Sequence, residues 1–137
     1  MTAKRCNVWA WIVVAVGTAV CPVEPASAAE AKSPANTVKL IIDYGDGVQK
    51  HFTAIAWSDG ITVLDAMDAA SRHRHGITFE RRGRGATTLL TRIDDVENEG
   101  QGRNWIFRVN GKLADRSLGV ARLASGDTIL WSFEKYQ

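Results

Sequence analysis

The sequence has little cysteine, little proline and no strong excess of either charge. Its 137 residues include two cysteines and three prolines, and the formal net charge is +2. A nearly neutral chain lacks the basic surface of a dedicated nucleic-acid-binding domain, so no nucleic-acid partner is expected. Hydrophobic residues make up 45% and charged residues 23%, which is typical of a globular chain and not of a disordered one. The length allows one domain.

The longest apolar run lies near the N-terminus and has the features of a signal peptide. Lys4 and Arg5 precede an almost wholly apolar run over residues 8–20, and small residues follow at 26–29. The run is too short to span a bilayer comfortably. A basic start, a short apolar stretch and a small-residue site are typical of a secretory signal peptide. We predict cleavage after Ala28 and a periplasmic or extracellular location; an uncleaved anchor is the alternative.

Cleavage at that point would remove both cysteines. Cys6 and Cys21 lie within the predicted signal peptide, residues 1–28. Residues 29–36 are predicted to form a short polar tether, and residues 37–137 to form the domain. That domain has no transmembrane run, disulfide or thiol, so its stability must come from a hydrophobic core.

One helix is predicted among several strands. Thr62 precedes an apolar segment and Asp65 follows three residues later, which is a variant of the capping box. Apolar residues then recur at helical spacing, and a cluster of cations precedes Gly76, so we predict a helix over residues 63–75. The strands are predicted over residues 37–43, 48–56, 77–80, 86–93, 105–109 and 128–133. The predicted fold class is α+β, with a mixed sheet of about five strands packed on the helix.

Four segments together resemble a known family. They are the turn at 44–47, the helix start at 62–66, the segment 91–94, and the segment 104–111 with its distal Gly126-Asp127. In this order they resemble the transcobalamin-type C-terminal domain, a family filed in bacteria as a domain of unknown function. The resemblance covers roughly residues 37–135. It implies a β-grasp fold, in which a sheet curls around one helix.

The resemblance also implies a ligand. In vertebrate cobalamin carriers this domain forms one wall of the site around the corrin, and a helical barrel domain forms the opposite wall. The implied ligand is therefore a small flat molecule, with cobalamin or a similar corrinoid as the expected bound cofactor. Residues 37–137 supply only one such wall, so we expect tight binding to require a second.

Aromatic residues on two predicted strands are candidates for ligand contact. Trp105 and Phe107 share one face of their strand, and Trp131 lies on the last strand. Such a platform suits a flat ligand. The alternative is that these rings pack on the helix as core. Polar contacts at the ligand edge are predicted for Asn104, Arg108 and Asn110, although Asn110 could equally serve only the Asn-Gly hairpin turn.

A run of arginines supports a rival function. The basic patch comprises Arg72, Arg74, Arg81, Arg82 and Arg84. Clustered guanidinium groups can bind an anion or an acidic protein surface, so the rival is a protein-interaction module that docks through this patch or through a sheet edge. The alternative is a solvated helix end and loop, where cations complement the helix dipole.

No catalytic or metal-binding set is recognisable. The sequence contains no G-x-S-x-G motif, and His73 and His75 are two positions apart, so on a helix they would point to different sides. The acidic segment 94–99 resembles a calcium-binding loop only in part, because its twelfth position is Ile106 instead of an acid. We therefore predict a solvated acidic loop, no metal site and a non-enzymatic protein. Its oligomeric state is left open.

Overall fold

The computed structural model describes residues 36–137. The predicted signal peptide, and all but the last residue of the predicted tether, lie outside the described residues. The strands are β1 (Thr37–Asp43), β2 (Gln49–Ala56), β3 (Phe79–Arg82), β4 (Leu89–Ile93), β5 (Val96–Glu97), β6 (Arg103–Val109), β7 (Lys112–Leu113) and β8 (Thr128–Lys135). The α-helix, α1, spans Val63–Ser71, and a short 3-10 helix spans Gly85–Thr87.

The main sheet has five strands in the order β2-β1-β8-β6-β7. β1 and β8 are parallel, and the other neighbours are antiparallel. The predicted α+β class, with one helix and a mixed five-stranded sheet, is confirmed for the described residues. Asn110 and Gly111 both have positive φ, 52° and 79°, as the Asn-Gly turn between β6 and β7 requires.

A second, three-stranded sheet was not predicted. It has the order β3-β4-β5, and the 3-10 helix replaces the first residues of the strand predicted over 86–93. Strand patterns indicate that a segment is extended, but the choice of neighbour depends on contacts far along the chain.

A bulge changes which residues of β2 face inward. Strict alternation would place Val48 and Ala54 on the same face as Phe52, but the pairing shifts register between Val38 and Leu40. Phe52 and Ile55 are therefore the buried residues of β2, whereas Ala54 is exposed. One extra residue in one strand of an antiparallel pair has this effect.

The start of α1 is confirmed, but its predicted end is wrong. The backbone N–H of Asp65 donates to Thr62 Oγ1 at 3.3 Å, and the N–H of Thr62 donates to Asp65 Oδ2 at 2.8 Å. The helix ends at Ser71 instead of residue 75. Arg72 is its C-cap residue, and Arg74 lies beyond it.

Gly76 explains the early end of the helix. The N–H groups of Arg72 and His73 bond to carbonyls three residues earlier, which tightens the chain into a turn. The chain then folds back so closely that a Cβ on Gly76 would lie 2.8 Å from the carbonyl oxygen of His73. The four residues between Ser71 and Gly76, which the prediction placed in the helix, form this turn.

The core lies between the main sheet and α1. Its largest side chains are the rings of β6 and β8, which pair as Trp105 with Phe133 and Phe107 with Trp131. The ring centroids are 5.3 Å and 4.7 Å apart. Each such ring contributes about 1.5–3 kcal/mol on burial. Trp57, which its neighbouring turn predicts to be exposed, is instead half-buried, and its Nε1–H donates to the carbonyl of Leu123.

Candidate functional site

A cleft of about 260 Å³ opens between the edge of β6 and the start of β4. The buried residues in its lining include the aromatic Trp105, Phe107 and Trp131, together with Thr88 and Leu118. We call this the aromatic cleft. It brings together the three aromatic residues that the sequence predicted as ligand contacts.

The cleft exists because the two sheets do not join by a continuous ladder at this edge. β7 pairs only with Arg108 and Val109 of β6. Further along, the Asn98 side chain bridges the sheets: its Oδ1 accepts from the N–H of Trp105 at 2.8 Å, and its Nδ2 donates to the carbonyl of Leu90 at 2.7 Å. A bridging side chain holds two strands farther apart than a direct ladder does.

Two buried polar atoms on residues that line the cleft lack any hydrogen-bond partner. They are Thr88 Oγ1 and Trp131 Nε1, on residues that are 4% and 2% exposed. By contrast, Trp105 Nε1–H donates to the carbonyl of Val96 at 2.9 Å. A buried polar group without a partner costs about 1–3 kcal/mol. Native proteins contain few such groups.

One further atom of this kind occurs among residues 36–137. It is Arg92 Nε, but the terminal nitrogens of that guanidinium lie 3.5 Å from carboxylate oxygens of Glu80 and Glu97. The guanidinium of Arg92 therefore has partners at its other nitrogens, whereas Thr88 Oγ1 and Trp131 Nε1 have none.

The mouth of the cleft is apolar. Leu89, Leu113 and Tyr136 line it and are 56%, 46% and 69% exposed. Exposed apolar side chains that cluster at one place mark an interaction surface. Arg116 adds one cation, and its nearest acid is Asp115 at 3.9 Å.

The predicted polar contacts do not line this cleft. Asn104 hydrogen-bonds the backbone of Gly100 through both ends of its amide, at 2.9 Å. The side chain of Arg108 lies 2.6 Å from Glu134 Oε1, on the sheet face opposite the helix. The amide of Asn110 bonds Asp127 Oδ1 at 2.8 Å. All three side chains therefore have internal partners, and their role in ligand binding stays a prediction.

The five arginines of the basic patch are all exposed. Arg81 and Arg82 lie on β3, opposite Leu90 and Leu89 of β4. Within residues 36–137, no guanidinium of the patch makes an ion pair, whereas Arg92, Arg103 and Arg108 do. Each arginine of the patch is therefore available to an outside anion.

Asp94 is not part of a solvated loop, as the sequence predicted, but the centre of a polar cluster. It follows β4 and has a φ of 51°. Its carboxylate accepts from the Tyr44 hydroxyl, from Lys50 Nζ at 2.8 Å and from the Thr78 N–H at 2.8 Å. These partners are 50, 44 and 16 residues away in the sequence, so neither the resemblance over residues 91–94 nor the acidic segment 94–99 indicated them. We call these four residues the Asp94 cluster.

The Asp94 cluster shifts two pKa values in opposite directions. Burial alone would raise the pKa of the Asp94 carboxyl, but hydrogen bonds from Lys50, Tyr44 and Thr78, with the charge of Lys50, lower it below 3.8. Burial, the hydrogen bond to Asp94 and nearby carboxylates raise the pKa of the Tyr44 phenol. Tyr44 therefore stays protonated and Asp94 charged across the neutral range.

The described residues contain neither a metal-binding cluster nor a membrane-spanning helix. No three His, Cys, Asp or Glu side chains in residues 36–137 are grouped so that they could hold a metal ion. No helix there is long and apolar enough to cross a membrane.

The family model described as "Domain of unknown function (DUF4430)" matches residues 60–135, more than half of the chain. The chain belongs to this family. The DUF4430 match begins before α1 and ends in β8, so it includes the lining of the aromatic cleft except Tyr136. It excludes Tyr44 and Lys50 of the Asp94 cluster.

A solved structure shares the fold. It is a crystal structure of a protein described as a "putative metal binding protein" from Ruminococcus gnavus, with a TM-score of 0.60 and 11% identity. The match covers 74% of this chain and 99% of that chain. At this identity the likeness shows the fold alone. No curated protein matches the chain.

Proposed function

We propose that this protein is a non-enzymatic module that binds a small, flat, largely apolar ligand in the aromatic cleft. One observation carries the proposal: three exposed apolar side chains, Leu89, Leu113 and Tyr136, line the mouth of a cleft that is also lined by buried aromatic rings. Ligand sites typically combine apolar walls with a few polar groups that fix orientation.

Three further inferences belong to this proposal. We infer a β-grasp arrangement of sheet and helix, from the resemblance to the transcobalamin-type domain. The features at residues 1–28 support export to the periplasm or the exterior. The described lining of the cleft includes Ser117 and Thr88 but no His, Asp, Glu, Lys or Cys, so no general base stands beside a hydroxyl, which supports binding without catalysis.

The size of the cleft limits how a corrinoid would bind. Its volume of about 260 Å³ lies just below the roughly 300–1,000 Å³ of typical ligand pockets. It has room for one or two fused rings, or for the edge of a macrocycle. We propose that cobalamin, if it is the ligand, enters by an edge, and that its remaining surface is covered by a second domain or chain.

A metal ion is a second kind of ligand to consider, because the similar solved structure is described as a "putative metal binding protein". Within residues 36–137 no three potential ligands are grouped for a metal ion, and the cleft lining contains none of the usual ligand residues. The chemistry of these residues therefore supports an organic ligand.

A titration tests the proposal. Cyanocobalamin, haem and 2-acetylnaphthalene are titrated into the purified protein, and binding is followed by tryptophan fluorescence and calorimetry. We expect saturable binding of 2-acetylnaphthalene at least. Leu113→Asp, at the mouth of the cleft, should weaken binding about ten-fold or more, because it places a charge where the ligand buries apolar surface.

Val48→Asp is the matched control. Val48 is also an exposed apolar residue, at 55%, but it does not line the cleft. Its substitution should leave binding unchanged. The proposal is wrong if none of the three compounds binds saturably, or if both variants weaken binding equally.

A second function is favoured by the unpaired arginines of the basic patch. We propose, as the alternative, a protein-interaction module that docks an acidic surface there. Polyglutamate binding by interferometry tests it, with the double variant Arg81→Glu/Arg82→Glu against Lys39→Glu/Lys112→Glu, which removes the same charge elsewhere. Equal binding by both double variants would exclude the patch as the docking site.

A further inference from the structure

We propose that the ligand of the aromatic cleft carries an anionic group, such as a carboxylate, on an arm that lies in a neighbouring groove rich in cations. The inference rests on the proposed function and names the chemical class of its ligand: a flat apolar compound with an anionic side arm. The observation behind it is that the apolar cleft adjoins a groove whose described lining holds three cations and one acid.

The neighbouring groove runs beside β7 and the segment that follows it. Its volume is about 390 Å³, and its lining includes Lys112 of β7 and Arg122. We call it the Arg122 groove. It shares four lining residues with the aromatic cleft, namely Phe107, Leu113, Ala114 and Arg116. Because the two depressions have these walls in common, a ligand in the cleft can extend into the groove.

The charges of the Arg122 groove are unbalanced. Its described lining holds the cations Lys112, Arg116 and Arg122, and Asp115 as the one acid. Arg116 lies 3.9 Å from Asp115, but their side chains are 70% and 91% exposed, and such a pair is weak. Within residues 36–137, Lys112 and Arg122 make no ion pair. The groove therefore has positive charge that an anionic group of the ligand can neutralise.

A second groove beside the cleft does not have this excess. It shares three lining residues with the cleft, namely Ile106, Leu113 and Tyr136. Its charged lining residues are Arg108, Glu134 and Lys135. Arg108 is paired with Glu134 at 2.6 Å, so an anionic group in this groove would meet a carboxylate and one unpaired lysine. The arrangement of charge therefore favours the Arg122 groove for the arm.

The backbone that carries the cations of the Arg122 groove is held by pairing. Lys112 pairs with Val109 across the hairpin of β6 and β7, and Arg122 forms a β-bridge with Thr62 at the start of α1. The lining also includes Val109 and Val120, both half-buried, which can contact the alkyl part of an arm. A guanidinium binds a carboxylate through two parallel hydrogen bonds.

Two probes that differ in charge test the inference. 2-Naphthylbutanoate and 2-naphthylbutanamide have the same ring and nearly the same shape, but only the first is charged at neutral pH. Calorimetry measures their binding. The carboxylate should bind about three- to ten-fold more tightly, because two or three exposed ion pairs together discriminate by that order. Raising NaCl from about 0.05 M to about 0.5 M should reduce this preference, since salt screens exposed charges.

Two double variants locate the preference. Lys112→Gln/Arg122→Gln removes two charges from the Arg122 groove and should reduce the ratio of carboxylate to amide affinity to about two-fold or less. Lys39→Gln/Lys135→Gln removes the same charge elsewhere, including the unpaired lysine of the second groove, and should leave the ratio unchanged. All four side chains are exposed, so neither double variant should change stability much.

Backbone amide resonances locate the arm in the unmodified protein. The ¹H–¹⁵N resonances of Lys112 and Arg122 should shift more with the carboxylate than with the amide, because the charged group lies beside them. The resonance of Lys135 should respond alike to both compounds. This measurement is independent of any folding defect in a variant.

The outcomes separate the two proposals. If the carboxylate and the amide bind equally at low salt, the inference is wrong and the cleft remains an apolar binding site. If the preference falls equally in both double variants, or persists in both, the anionic group does not lie in the Arg122 groove and the inference is also wrong. If neither compound binds, the proposed function fails together with it.

Discussion

The two ends of β4 place polar groups in opposite situations. After its last residue, Asp94 accepts hydrogen bonds from Tyr44, Lys50 and Thr78. Before its first residue, Thr88 keeps a buried hydroxyl without a partner, and the indole N–H of Trp131, which also lines the cleft, has no partner either. The comparison teaches that a buried polar group contributes to stability where it is fully paired and costs stability where it is not.

The first prediction is that substitution of Asp94, at the end of β4 where the polar groups are paired, causes a large loss of stability. Asp94→Ala should lower the free energy of unfolding by about 2–4 kcal/mol, because it removes the acceptor of the Tyr44 hydroxyl and of the Thr78 N–H and forces alanine into a positive φ. Asp94→Asn should cost less, about 1–3 kcal/mol, since asparagine tolerates that φ and still accepts a hydrogen bond. Urea denaturation measures both.

Asp95→Ala is the control for the Asp94 variants. Asp95 is exposed and directly follows Asp94, so its loss should change stability by about 0.5 kcal/mol or less. If Asp94→Ala and Asp95→Ala lower the free energy of unfolding equally, the Asp94 cluster does not stabilise the fold.

The second prediction concerns the two tryptophans of the cleft. Trp105→Phe removes the donor to the Val96 carbonyl, whereas Trp131→Phe removes a donor that has no partner. Both lose some packing, but Trp105→Phe should be more destabilising by about 1–2 kcal/mol. Urea denaturation of the two variants checks the order, and a reversed order would contradict the assignment of the unpaired donor.

The third prediction is the pH dependence of the paired end. The pKa of Asp94 is lowered in the folded protein, so its contribution to stability is complete above the unfolded value near 4 and is lost as pH falls through the folded value. The pKa of Tyr44 is raised, so its contribution is complete below about 10 and is lost as pH rises through the folded value. Melting temperature against pH should fall at both limits.

Two variants separate these limits. Compared with the unmodified protein, the melting temperature of Asp94→Asn should fall less at low pH. The melting temperature of Tyr44→Phe should fall less at high pH. If the melting temperature of Asp94→Asn falls at low pH as much as that of the unmodified protein, other carboxylates cause the fall.

The smallest effect is expected at the unpaired end. Thr88→Val should change the free energy of unfolding by less than about 0.5 kcal/mol or stabilise the protein by up to about 1 kcal/mol, because it replaces a buried hydroxyl without a partner by a methyl group. Ser117→Ala, which loses bonds to the carbonyls of Gly85 and Thr88, should cost about 1 kcal/mol. Thermal unfolding compares the two, and a larger loss for Thr88→Val would show that its hydroxyl is paired after all.

The features that were predicted correctly depend on residues close together in the sequence. The Thr62 cap needs only Asp65, three positions away, and the turn at Asn110 needs only Gly111. The burial of Trp105 and Phe107 on one face follows from strand alternation. Their grouping with Trp131 was also predicted, from the resemblance and from the aromatic content of the two strands.

The features that were missed or wrong depend on distant partners. β2 departs from alternation because its register with β1 shifts. Asp94 lies 50 residues from Tyr44 and 44 from Lys50, so its acidic neighbours suggested a solvated loop. Asn104, Arg108 and Asn110 were identified as polar candidates, but their internal partners could not be read from the sequence.

The sequence by itself determined the class of fold, the start of the helix, the hairpin turn and the aromatic surface, because propensity, capping and alternation act over a few residues. Only the tertiary structure decided the second sheet, the Asp94 cluster and the aromatic cleft. The reason is that satisfaction of a buried polar group depends on which distant atoms packing brings within hydrogen-bond distance. Thr88 and Trp131 look like ordinary strand residues in the sequence, and only the packed core leaves each of them a polar atom without a partner.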